Sequence, residues 1–166
     1  MRTITVALGE KTYNIEIAAG LLDQIGAKAR VLSQAVKAAI ISDSNVDPLY
    51  GERLERSLAA SGFEVTRIVF AAGEQSKNLT VLGQVYDELA RAGLTRSDLI
   101  LTLGGGVPGD LGGFAAAPFL RGIDFIQVPT SLLAQIDSSV GGKVAIDLPS
   151  GKNLAGSFYQ PKAVFI

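Results

Sequence analysis

The chain has 166 residues, 15 Lys+Arg against 16 Asp+Glu for a formal net charge of −1, and no Cys, His or Trp. With neither Cys nor His it builds no disulfide, catalytic thiolate, Ser-His triad or imidazole metal site from its own side chains. The balanced charge argues against nucleic-acid binding through a broad basic field, and no apolar run approaches the about 20 residues that span a bilayer, so neither nucleic acid nor membrane is expected as a partner and a cytoplasmic location is.

Two alternating segments, Thr3 to Leu8 and Thr12 to Ile17, flank Gly9-Glu10-Lys11 and predict an N-terminal β-hairpin. Leu21, Leu22, Ile25 and Ala29 then follow helical spacing, and Lys37 to Ser42 reads as a short buried strand. The alternation continues. A helix on Leu49, Leu54, Leu58 and Ala59 ends at Gly62, a strand covers Phe63 to Phe70, a helix on Leu82, Val85, Tyr86 and Leu89 ends at Gly93, and Leu99 to Leu103 forms another strand. Strands separated by helices predict an α/β, Rossmann-like, mostly parallel sheet flanked by helices in a single domain over residues 1–166. The apolar run Ala163-Val164-Phe165-Ile166 looks like a strand without a following turn, so a fragment of a longer protein is expected.

More than half of the 19 glycines lie between Gly104 and Gly156. The strand ending at Leu103 runs into Gly104-Gly105-Gly106-Val107-Pro108-Gly109-Asp110 and then a helical stretch from Leu111 to Ala117. Gly104, Gly106 and Gly109 satisfy G-x-G-x-x-G, which lets backbone N–H groups approach a pyrophosphate at a helix start; a tight turn with close helix-to-sheet packing satisfies it equally well. Two more glycines in that helix, Gly112 and Gly113, each cost about 1 kcal/mol relative to Ala and need a reason such as close backbone approach. Pro118 predicts a kink or an end before it. Because the glycine turn comes late in the chain, a carboxylate for a ribose has to come from an earlier strand end. Asp43 in Ser42-Asp43-Ser44-Asn45 is suited to that, or to capping a helix. Farther on, Asp137 and Lys143 flank a cluster of hydroxyls after a strand, where an acid and a cation can share one cleft, and Gly151-Lys152-Asn153 places a second cation and an amide beside a glycine, as phosphate sites do.

The stretches Gly104 to Asp110, Gly113-Phe114, Arg121-Gly122, Pro129 to Gln135, Asp137 to Lys143 and Gly151-Lys152-Asn153, with Gly73-Glu74-x-x-Lys77 upstream, resemble 3-dehydroquinate synthase. The resemblance covers essentially the whole chain, and Asp137 to Lys143 is its most specific part. It corresponds to the N-terminal, nucleotide-binding half of that family. It implies an enzyme, a phosphate lyase of the shikimate pathway of aromatic amino acid biosynthesis. That enzyme turns the sugar phosphate 3-deoxy-D-arabino-heptulosonate 7-phosphate into 3-dehydroquinate and phosphate, with NAD and a divalent metal, zinc or cobalt. By resemblance, Asp43 and Asn45 hold the adenosine ribose with Glu74 and Lys77 nearby. Gly105, Gly106, Val107 and Asp110 take the pyrophosphate, and Thr130, Ser131 and Leu133 line the nicotinamide side. Asp137 and Lys143 face substrate, Lys152 and Asn153 sit between cofactor and substrate, and Arg121 reaches the substrate phosphate of a neighbouring subunit in a homodimer. The family's metal ligands are a Glu and two His in a C-terminal helical domain. This chain has no His, so no metal site is predicted in it and the chain alone is expected to be inactive. A related sugar-phosphate cyclase, a polyol dehydrogenase domain and a stand-alone nucleotide-binding module are the alternative readings.

Overall fold

A computed structural model describes residues 1–166. Arg2–Val6 (β1) and Tyr13–Ile17 (β2) form the expected antiparallel hairpin. Lys37–Asp43 (β3), Glu64–Phe70 (β4), Leu99–Gly104 (β5) and Asp124–Pro129 (β6) are mutually parallel through the β4-β3-β5-β6 neighbours. The helices are Ile25–Leu32 (α1), Glu52–Ala60 (α2), Leu79–Arg91 (α3) and Gly106–Ala116 (α4). Lys143–Leu148 (β7) and Gly151–Phe158 (β8) make a separate antiparallel pair, and Ala163–Phe165 (β9) returns to the main sheet, whose order is β1-β2-β9-β6-β5-β3-β4. The hairpin therefore joins the sheet only through the last strand: Asn14 pairs with Ala163 and Gln127 with Val164.

Alternation along the central strands sends side chains to two cores. Ala38 and Ile40 of β3 and Leu99, Leu101 and Leu103 of β5 pack under α1 and α2, while Ala39, Ile41 and Ile100 pack under α3 and α4. All six residues of β5 are buried, as expected of a central strand covered on both faces, where each fully buried Leu or Ile contributes about 1.5–3 kcal/mol. Asn78 caps α3 by accepting the Val81 N–H at 3.0 Å, and α4 stops before Pro118, with Ala117 as its C-cap. No helix is long and apolar enough to cross a membrane.

One sequence expectation needs correction. Helix α4 begins at Gly106 rather than Leu111, because Gly105 is already extended as the N-cap and the fixed φ of Pro108 suits the first turn; the glycine stretch is helical rather than a turn before a helix. Lys143 opens β7, and Lys152 and Asn153 lie in β8, two strands that the sequence did not mark. Gly112 and Gly113 are explained by the sheet on one side and the β7–β8 hairpin on the other. A Cβ on Gly112 would lie 2.5 Å from Thr102 Cγ2 of β5, and one on Gly113 2.5 Å from Val144 Cγ1 of β7, so the helix is thinned on two sides to fit between sheet and hairpin.

Candidate functional site

The strand order reverses between β3 and β5. From β3 the chain leaves through α2 on one face to β4, and from β5 it leaves through α4 on the other face to β6. At such a switch point a crevice opens beyond the carboxyl ends of the strands, which is where open α/β sheets bind ligands. Asp43 ends β3, Gly104 ends β5 opposite Pro129 of β6, and the Thr130 N–H donates to the Gly104 carbonyl at 2.8 Å. Asp43 Oδ1 accepts the N–H groups of Asn45 at 2.9 Å and Val46 at 3.0 Å, closing a turn after β3; it does not cap the following helical segment, whose N-cap is Val46.

The start of α4 has no side-chain cap, and the first N–H groups of a helix lack intrahelical partners. Ser131 and Ser138 stand over it: a Cβ on Gly105 would lie 3.3 Å from Ser131 Oγ and one on Gly106 3.4 Å from Ser138 Oγ. Side chains there would close the approach to the free N–H groups. Ser131 Oγ also accepts the Ala134 N–H at 3.3 Å at the head of the helical turn that carries Asp137. Leu133, on that turn, is exposed.

One turn into α4, Asp110 meets a lysine from the loop after β4. Lys77 is buried, and its Nζ donates to Asp110 Oδ2 at 2.5 Å and to Asn153 Oδ1 of β8 at 2.6 Å. Burial pushes the Asp110 carboxyl above its ordinary value; Lys77 pulls it back, and the charges of Glu74 and Asp147 add to the upward push. Glu74, at the start of the Lys77 loop, pairs at 3.2 Å with Lys152, which is largely exposed. A cleft of about 850 Å³ opens next to this cluster, and Asp110, Asp137, Gly141, Gly142, Lys143 and Asn153 are among its walls.

The structure thus brings together Glu74, Lys77, Asp110, Lys152 and Asn153, puts Asp137 and Lys143 on the walls of the same cleft, and sets Gly105, Gly106 and Val107 in the first turn of α4 beside Ser131. Asp43, Asn45 and Thr130 belong to the same edge of the sheet. Arg121 does not. It is exposed beyond the far end of α4, before β6 begins, with left-handed backbone (φ 68°). Asp147, absent from the sequence reading, accepts the Asn153 N–H at 2.8 Å. No three Asp, Glu, His or Cys side chains converge to hold a metal ion, so the residues present do not fit one.

Fold and crevice define the class, a Rossmann-like α/β domain with a glycine-lined helix start at its switch point. Residues 67–166 match the family described as 3-dehydroquinate synthase N-terminal, and the chain belongs to that family. The 3-dehydroquinate synthase of Clostridium acetobutylicum is 56% identical over 166 residues, all of this chain and 47% of that protein. The chain spans about half the length of the curated relatives it matches. Among solved structures, 2-deoxy-scyllo-inosose synthase complexed with carbaglucose-6-phosphate, NAD+ and Co2+ is 30% identical with a TM-score of 0.91, over 99% of this chain and 45% of that one. The 2-epi-5-epi-valiolone synthase of Streptomyces hygroscopicus with NAD+ and Zn2+ bound is 29% identical with a TM-score of 0.83, over 97% and 44%.

Proposed function

We propose that residues 1–166 form a single NAD-binding domain of a 3-dehydroquinate synthase acting on 3-deoxy-D-arabino-heptulosonate 7-phosphate in the shikimate pathway. The observation that carries this is the Lys77 contact to both Asp110 and Asn153, which joins the nucleotide-type helix to the hairpin of a cleft that Asp137 and Lys143 also line. The 56% identity to a protein of that name favours it over the cyclases at about half that identity.

The open start of α4 fits a pyrophosphate, with Gly105, Gly106 and Val107 offering N–H groups to it. Asp43 holds the adenosine ribose through the oxygen that its turn leaves free, with Asn45 beside it, and Thr130, Ser131 and Leu133 line the nicotinamide side. When bound, NAD supplies transient oxidation of a substrate alcohol, which acidifies the neighbouring C–H so that phosphate can leave. Asp137 orients the sugar hydroxyls. Lys143 and Lys152 hold the anionic ends of the substrate, and their attraction strengthens as the cleft loses water. Arg121, too far along α4 to serve its own cleft, serves that of a second copy in a homodimer. The zinc or cobalt ion takes its ligands from a C-terminal helical domain of the longer enzyme, since three ligands do not converge here. The enzyme works in the cytoplasm.

Titration calorimetry of the 166-residue chain with NAD tests the reading. Gly106→Val places a branched side chain under Ser138 and is expected to weaken binding at least about tenfold, near 1.4 kcal/mol. Equal binding by the variant and the unmutated chain would refute the site. The chain alone, given zinc and NAD, should form no 3-dehydroquinate.

A further inference from the structure

Between the Ile146–Ala155 and Leu148–Gly151 pairs of the β7–β8 hairpin the register shifts, and the single residue Asp147 faces Lys152, Asn153 and Leu154. Bulges of this kind re-aim side chains, and this one does so twice. Asp147 Oδ1 accepts the Asn153 N–H at 2.8 Å, while the Asp147 N–H donates to the Lys77 carbonyl at 2.7 Å. Lys77 Nζ in turn donates to Asn153 Oδ1 at 2.6 Å. The three residues close a ring of hydrogen bonds between the loop after β4 and the hairpin.

Asn153 has φ 56°, a left-handed conformation that Asn adopts more readily than most non-glycine residues. The Asp147 carboxylate is the group that holds its N–H. An ammonium has only hydrogens to give, so the Asn153 atom facing Lys77 has to be the amide oxygen. The amide nitrogen Nδ2 is then left as a donor with no partner in the chain, on a residue that lines the cleft.

Building on the proposed cofactor-binding reading, we infer that Asp147 is a positioning residue that locks Asn153 with its amide NH2 offered to the cleft, so that this position reads a ligand oxygen that only accepts hydrogen bonds, as a phosphate oxygen does. Such an oxygen belongs either to the dinucleotide or to a phosphate of the substrate. A hydroxyl can also accept, but a ligand group able only to donate finds no counterpart at Nδ2.

The test compares the chain with Asp147→Ala, which removes the acceptor, and Asp147→Asn, whose carboxamide oxygen restores it without the charge. Amide hydrogen exchange at Asn153, without ligand, reads the clamp directly. Asp147→Ala should speed it at least about tenfold and Asp147→Asn should return it to within about threefold. Separate titrations with NAD and with inorganic phosphate read the consequence and show which ligand supplies the oxygen. At least one of the two should bind about fivefold or more weakly to Asp147→Ala and normally to Asp147→Asn. Unchanged exchange at Asn153 overturns the inference, and so does faster exchange with both affinities unchanged. If the unmutated chain takes up neither ligand, the cofactor reading fails and with it the ligand half of this inference, while the clamp stands or falls on exchange alone. Should Asp147→Ala not fold, Asp147→Glu, which moves the acceptor by one methylene, is measured in its place with the same expected direction.

Discussion

Strand β5 has a carboxylate at each end, and the two are in opposite situations. Asp98, just before the strand, is buried and surrounded by donors: Lys37 N–H at 2.8 Å on one oxygen, Thr95 N–H at 2.7 Å and Thr95 Oγ1 at 2.8 Å on the other. Burial raises its carboxyl, but the hydrogen bonds together outweigh that and leave it below its ordinary value of 3.8. Asp110, after the strand, also suffers burial, yet one lysine and two nearby acids are what it has, and it ends above 3.8. The amino end of the sheet spends a charge on closing a turn. The carboxyl end keeps a charge under strain where a ligand can reach it, which is the arrangement expected of a binding site.

The comparison breaks most visibly at Lys77. Removing one partner of a buried ion pair leaves the other uncompensated, so Lys77→Met is expected to lower unfolding free energy by about 3–5 kcal/mol in urea, with the Lys77→Met/Asp110→Asn double variant recovering at least half of the loss. Asp98→Ala orphans three donors and should cost about 2–3 kcal/mol, while leaving NAD uptake unchanged because Asp98 lies at the opposite edge.

Acid titration sharpens the contrast. Asp98, with a depressed folded value, adds stability that is complete above 3.8 and is lost as pH falls through that lower value. Asp110, with a raised one, costs stability above its folded value, and the cost is relieved as pH falls toward 3.8. Carboxyl carbon NMR should therefore show Asp110 protonating before Asp98 as pH is lowered, and the reverse order would contradict the assignment of strain. The smallest stability effects belong to Lys143, on the cleft wall, and to Lys152 in its exposed pair with Glu74. Lys152→Met breaks an exposed pair worth less than about 1 kcal/mol, and Lys143→Met breaks no ion pair, so thermal melts should barely move. Under the proposed function, steady-state kinetics of the full-length synthase should nevertheless show kcat/KM down about tenfold or more in each.

Local periodicity was enough to find the hairpin β1–β2, α1 to α3 and β3 to β5, because each is a run whose apolar spacing has one interpretation. It did not reveal β7–β8. Val144, Ile146 and Leu148 alternate, but the partner strand carries glycines and a register shift, and the pair is held against α4 by packing of Val144 on Gly113, a contact between residues far apart in sequence. Gly112 and Gly113 showed that something approaches α4 without showing what. For the site, Asp137, Lys143, Lys152 and Asn153 were visible as residue chemistry, whereas Glu74 and Lys77 stood out only through resemblance, since nothing local marks a lysine as buried. Asp147 was missed because an acid in an alternating strand looks like a solvent-facing residue; its contact with Asn153 appears only through the register shift.

The pairing of β2 with β9 sets an order of events during synthesis. The hairpin leaves the ribosome well ahead of β9 and has no β9 to lie against until Ala163 to Phe165 has been made, on the order of ten seconds later at an elongation rate of about 5–20 residues per second. Until then its inward residues Tyr13 and Ile15, buried in the finished sheet against Val164, are without their cover. The remainder, β3 to β6 with their helices, closes through neighbours in sequence and can be complete beforehand. Docking of β2 against β9 thus comes late among the steps that complete this sheet. It is also the slowest in principle, since it closes the longest loop in the molecule, and a short-lived nascent state with an unpaired hydrophobic hairpin is built into this topology.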